Sequence, residues 1–157
     1  MPLAYVTGTQ EIQSANRVLN ACEKHWNAWS SDCSGFARAV CRELGVPMVA
    51  GDANAIFDSV KKSPWRLIPN SLEAARQARL GNLVVAVMKG SPHGHITVIV
   101  ATDSRELGRG KYPRGYWGRW HGIGKKFTTI NWSFDEAGIT KAVIYSCVGL
   151  PRRGEKA

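Results

Sequence analysis

The sequence predicts an α+β protein in which N-terminal helices pack on an antiparallel sheet, and three observations carry that prediction. Apolar residues recur at helical spacing in successive stretches as far as Leu80. From Asn82 the period changes, and β-branched runs separated by glycine-rich turns follow. Helices first and strands afterwards is the order of an α+β domain. A length of 157 residues suits one domain with a real core, expected over about 12–150 with loose ends at 1–11 and 151–157.

Ala15, Val18, Leu19, Cys22, Trp26 and Trp29 make the apolar stripe of a first helix, which runs up to Ser30-Ser31-Asp32. Asp32 is a good N-cap for a second, in which Phe36, Val40 and Leu44 repeat with Ala37 and Cys41 beside them. Gly45 and Pro47 supply its stop. A short third helix covers 51–60, capped by Asp52, with Ala53, Ile56, Phe57 and Val60 on one face. After Lys61-Lys62-Ser63-Pro64, the residues Trp65, Leu67 and Ile68 alternate with polar ones up to Pro69. Asn70 or Ser71 then opens an alanine-rich helix, 72–80, that Gly81 ends.

The runs 83–88 and 96–101 are apolar on both faces, as central strands covered on two sides are, and 89–94 joins them as a loose hairpin loop. Further strands are expected at 116–120, 127–132 and 141–147. No stretch approaches the ~20 apolar residues of a membrane span. The opening eight residues lack a basic n-region and an apolar h-region, so no secretory signal peptide is expected. A formal charge of +9, from 21 basic and 12 acidic residues, predicts attraction to a polyanion such as nucleic acid, a membrane surface or an anionic cell wall.

Four cysteines, Cys22, Cys33, Cys41 and Cys147, include no Cys-x-x-Cys pair, which excludes zinc-ribbon spacing. Cys33 falls in the first turn of the second helix, where the helix dipole favours a thiolate. Cysteine pKa values there drop from about 8.5 into the range of roughly 3.5 to 7.5. Its neighbours Asp32, Ser34 and Gly35 suit a nucleophile better than a core position. A nucleophile needs a base, and the choice lies among His25, His93, His95 and His121. His95 opens a rigid strand behind Gly94, which permits close approach of a substrate or a facing helix. The pair Cys33 and His95 is therefore the expected catalytic unit. The His93-x-His95 spacing lacks a nearby carboxylate, so neither a metal nor a cofactor is expected.

Asp-Cys-Ser-Gly-Phe opening a helix, followed later by Gly-His and a hydrophobic strand, resembles the NlpC-type papain-like cysteine peptidases of the bacterial cell wall. The likeness narrows on reading outward through Asn20-Ala21-Cys22, Trp26, Glu43-Leu44-Gly45-Val46-Pro47-Met48, Gly51, Ala53-Asn54-Ala55, Lys89-Gly90, Gly94-His95 and Lys111-Tyr112-Pro113. Over roughly residues 15–115 the chain is similar to the first family of type VI secretion amidase effectors. The resemblance implies a papain-like fold and an interbacterial toxin that hydrolyses the D-glutamyl to meso-diaminopimelate amide bond of peptidoglycan stem peptides. It implies Cys33 as nucleophile and His95 as base, with the stem peptide, a cognate immunity protein and the type VI machinery as partners. It further implies a monomer that neither binds nucleic acid nor inserts into membrane, made in the cytoplasm and acting in the target's periplasm.

The group that orients His95 stays open. Asp103 is eight residues along the strand, about 26 Å at ~3.3 Å per residue. His121 and Asn131 remain candidates for this third role, and the substrate-binding residues are unassigned. Two other readings compete. Tyr112, Tyr116, Trp117 and Trp120 interleaved with Arg114 and Arg119 suit a non-enzymatic nucleic-acid binder. The same fold also serves housekeeping wall hydrolases. A Cys22–Cys147 disulfide, closing a loop of ~125 residues, is a further expectation for an oxidising compartment.

Overall fold

The computed structural model describes residues 9–102, 112–134 and 142–151. Asp103, Lys111, Lys141 and the basic tail beyond Pro151 lie outside the described residues. Four helices, α1 (Thr9–Trp29), α2 (Cys33–Leu44), α3 (Ala53–Ser59) and α4 (Ser71–Arg79), accompany six strands. These are β1 (Arg66–Ile68), β2 (Leu83–Met88), β3 (His95–Ile99), β4 (Arg114–Trp117), β5 (Lys125–Thr129) and β6 (Ile144–Val148). They form one sheet in the order β1-β6-β2-β3-β4-β5, every neighbouring pair antiparallel. The architecture is α+β, as expected, and consistent with a papain-like fold.

The helix boundaries follow from local chemistry. Asp32 Oδ1 accepts from Gly35 N–H at 3.0 Å, Asp52 Oδ1 from Ala55 N–H at 3.1 Å and Asn70 Oδ1 from Glu73 N–H at 2.9 Å. Gly45, at φ 74°, ends α2 by sending the chain left-handed, and Val46 N–H then bonds back to Cys41 O at 2.9 Å.

β2 and β3 occupy the two central places in the sheet, which is why they are apolar on both faces. Leu83, Val85, Val87, Ile96 and Val98 pack against α1, α2 and α3. Val84, Ala86 and Ile99 pack on the other side with Ala74 and Ala78 of α4 and with Ile130 and Phe134. Burying such a side chain fully is worth about 1.5–3 kcal/mol, so the two central strands anchor both layers.

Several expectations need correction. α1 begins at Thr9, inside the stretch expected to be loose, and Pro151 O is held by Arg17 Nη1 at 2.9 Å. β4 and β5 lie about two residues earlier than 116–120 and 127–132. The backbone at Gly118 packs so closely on the α1–α2 turn that a side chain there would strike Trp29 O and Asp32 O, which ends β4 at Trp117. Ile130–Trp132 is a 3-10 turn rather than strand. The proposed disulfide is absent: all four cysteines are free. Cys22 belongs to the helical side of the sheet and Cys147 to the opposite side. A disulfide requires Cα atoms within about 7 Å, which the intervening sheet prevents.

Candidate active site

Cys33 is the first residue of α2 and only 7% exposed, its position fixed by the turn before it. Asp32 caps the helix and also accepts from Ser34 Oγ at 3.2 Å. Ser30 O in the same turn receives N–H bonds from Arg119 at 3.0 Å and Gly124 at 2.8 Å, so the 118–124 loop clamps the turn from above. Gly35 is required for a packing reason, because a Cβ there would enter the Trp29 ring. The Cys33 sulfur lies against the backbone N–H of Ile96 and those of Ser34 and Cys33 itself, all of which favour a thiolate. Burial and the Asp32 carboxylate oppose them, and burial dominates. The thiol is held above its ordinary value, contrary to the low pKa expected from the helix dipole alone.

His95 opens β3 one peptide from the N–H that touches the sulfur, so the fold brings both expected residues to one end of that strand. Its ring Nε2 is 2.5 Å from Ser133 Oγ, and Ser133 Oγ is 2.8 Å from Thr97 Oγ1. Thr97 and His95 are alternate residues of one strand and share a face. The Phe134 ring meets the imidazole edge-on at a centroid distance of 5.2 Å. In the tautomer whose Nε2–H donates to Ser133 Oγ, Nδ1 is the ring's free acceptor. Burial first, and the nearby Arg119 guanidinium second, push the His95 pKa down to about 3, so the imidazole is neutral at physiological pH. Thiol and imidazole are thus both neutral at rest.

The other sequence candidates are placed elsewhere. His25 bonds Glu43 at 3.1 Å on the far part of α1. His93 sits in the hairpin loop, its ring 5.4 Å from that of Trp120, and His121 packs on the other edge of Trp120 at 4.7 Å. Asn131 Oδ1 is buried with no hydrogen-bond partner and makes no contact with His95 Nε2. Ser133 was not foreseen; nothing in Ile130-Asn131-Trp132-Ser133 distinguishes it as sequence.

A groove of about 300 Å³ opens in front of the sulfur. Its walls come from the start of α2, the residues entering α3, His93 and Gly94 of the hairpin, and Trp120, which is 53% exposed. Asn54 holds the hairpin to α3, its Nδ2 donating to Gly90 O at 2.9 Å and its Oδ1 accepting from Gly90 N–H at 3.1 Å. Gly94 is what lets the two approach, because any Cβ would press on Asn54 and Met88 O. A buried thiol at a helix start, an imidazole held by a hydroxyl and an open groove are the parts an acyl-transfer site requires.

The chain resembles the peptidoglycan amidase Tse1 of Pseudomonas aeruginosa strain PAO1. The two are 40% identical over 103 residues, which make up 61% of this chain and 64% of that relative's length. No protein-family model matches the chain. Tse1 is named for an amide-hydrolysing activity on peptidoglycan, and an acyl-transfer site is what such hydrolysis requires. Among the described residues no helix is long and apolar enough to cross a membrane.

Proposed function

We propose that this chain is a cysteine amidase of peptidoglycan that cuts the D-glutamyl to meso-diaminopimelate bond of stem peptides, with Cys33 as nucleophile and His95 as base. The observation that carries the reading is the juxtaposition at the end of β3: the Cys33 sulfur against Ile96 N–H, and the neighbouring His95 held by Ser133. The likeness to Tse1 supports peptidoglycan as the substrate.

In this reading the thiol proton passes to His95 Nδ1 as Cys33 Sγ attacks the scissile carbonyl, so the charged pair forms during the reaction rather than before it. Backbone N–H groups at the start of α2 face the oxyanion. His95 returns the proton to the departing amine, leaving an acyl thioester. It then takes a proton from water, whose oxygen displaces the sulfur; the acid leaves and the thiol is restored. Ser133 keeps Nε2–H engaged throughout, as a neutral orienting group.

The proposed biological role is that of a toxin delivered by a type VI system into a rival's periplasm and neutralised in the producer by an immunity protein. Against the nucleic-acid alternative, Tyr116 and Trp117 are buried and Arg119 Nη2 is bonded to Ser133 O at 3.1 Å, while Trp120 is exposed on the groove wall. Growth of a Gram-negative host carrying cytoplasmic, exported and exported Cys33→Ala versions tests the role. Lysis only by the exported wild type is expected. Equal toxicity in both compartments, or toxicity that survives loss of the thiol, overturns it.

A further inference from the structure

We propose that Arg38 is a carboxylate-binding subsite of the groove and selects stem peptides whose acyl-side residue carries a free α-carboxylate. This rests on the amidase reading above and names what its groove recognises.

Arg38 lines the same groove as Cys33, from the same helix. Five residues along an α-helix is a rise of about 7.5 Å, and helical side chains lean back toward the N-terminus. Five residues also turn the helix by about 140°, so Arg38 meets Cys33 only through the groove that both line, its side chain directed to Gly51. One end of its guanidinium is fixed, because Nη1 donates to Gly51 O. Gly51 has φ 116°, a conformation that favours glycine, where the chain turns into α3.

The ion pairs among the described residues do not include Arg38. Both carboxylates in the groove wall are occupied as helix caps, Asp32 by Gly35 N–H and Asp52 by Ala55 N–H. The rest of the wall near it, Ala53, Gly94 and Trp120, offers no competing charge. A guanidinium tied to Gly51 O, without a carboxylate partner among the described residues and in the groove that Cys33 lines, suits a substrate carboxylate, with which it forms parallel N–H bonds.

A γ-linked glutamyl residue supplies that group at the required place. Its side-chain carbonyl is the scissile one, and its α-carboxylate lies two methylenes and the α-carbon away. Amidation of that carboxylate removes the charge while leaving the reacting bond unchanged.

The test compares two synthetic peptides, γ-D-glutamyl-meso-diaminopimelate with its α-carboxylate free and the same peptide as its α-carboxamide. Wild-type enzyme should prefer the acid by at least about tenfold in kcat/KM. Arg38→Met should lower kcat/KM for the acid by about 10- to 100-fold, chiefly through KM, and change the carboxamide by less than about threefold. Arg38→Lys should retain part of the preference. The wild-type preference is read without any substitution, so misfolding of a variant does not spare the proposal. Equal use of both peptides by the wild type, or an equal loss on both in Arg38→Met, overturns it and leaves Arg38 as a tie to Gly51. Cleavage of neither peptide overturns instead the amidase reading on which it rests.

Discussion

At Cys33 the helix start and the protein interior pull in opposite directions. N–H groups of Ile96, Ser34 and Cys33 favour the thiolate, while burial and the Asp32 charge favour the thiol more strongly. Asp32→Asn separates the two roles of that residue, since asparagine caps helices as well as aspartate but carries no charge. The variant should keep its stability within about 0.5 kcal/mol, and its Cys33 should alkylate faster at pH 7, with the half-maximal pH moved down. An unchanged or raised alkylation midpoint would remove Asp32 from the electrostatics of the thiol. Ser133 acts through the imidazole and is a positioning residue. Ser133→Ala should lower kcat about 10- to 100-fold with little change in KM, whereas His95→Ala should abolish turnover. Rescue of kcat by Ser133→Thr, which restores a hydroxyl, distinguishes positioning from lost packing.

At the scale of elements, the groove depends on how the β2–β3 hairpin is tied to α3. Asn54 makes two hydrogen bonds to Gly90, and its truncation leaves both backbone groups unpaired in a half-buried site. Asn54→Ala should cost about 1–3 kcal/mol, read as a lower urea midpoint with an unchanged slope. A change below about 0.5 kcal/mol would mean that the hairpin is held by other contacts. The elements themselves were legible where one signal decided them: Asp32 and Asp52 cap the helices they were expected to cap, Asn70 rather than Ser71 caps the fourth, and β2 and β3 run where the β-branched residues lie. β4 and β5 were misplaced because their ends are set by the 118–124 loop docking on the α1–α2 turn, a contact with no local pattern. Ser133 escaped for the same reason. It stands 38 residues from His95 and reaches it only because β4 and β5 pair outside β3 and turn the chain back. The helix-dipole rule reads the start of α2 correctly but carries no information about the layer that buries Cys33.

For the whole molecule, the half-buried, neutral His95, the proposed base, also contributes to stability. Its pKa is near 3 in the folded protein and about 6.5 when exposed, so between those values the unfolded chain binds a proton that the native one does not. The stability this contributes is present above about pH 6.5 and is lost as pH falls toward 3. From pH 7 to pH 5 the loss from this group should be about 2 kcal/mol at most, at ~1.4 kcal/mol per unit. Urea unfolding at both pH values should show a smaller acid loss in His95→Gln than in the wild type; equal losses would mean that the imidazole is charged in the native state.

The central claim is that Cys33 hydrolyses an amide bond of peptidoglycan, and mass analysis of fragments released from purified sacculi tests it most directly. The wild type should release stem-peptide pieces ending in a new D-glutamate carboxylate and beginning with a new diaminopimelate amine, and Cys33→Ala should release none. Intact stem peptides after digestion by the folded wild type, or the same pieces from Cys33→Ala, would contradict the account.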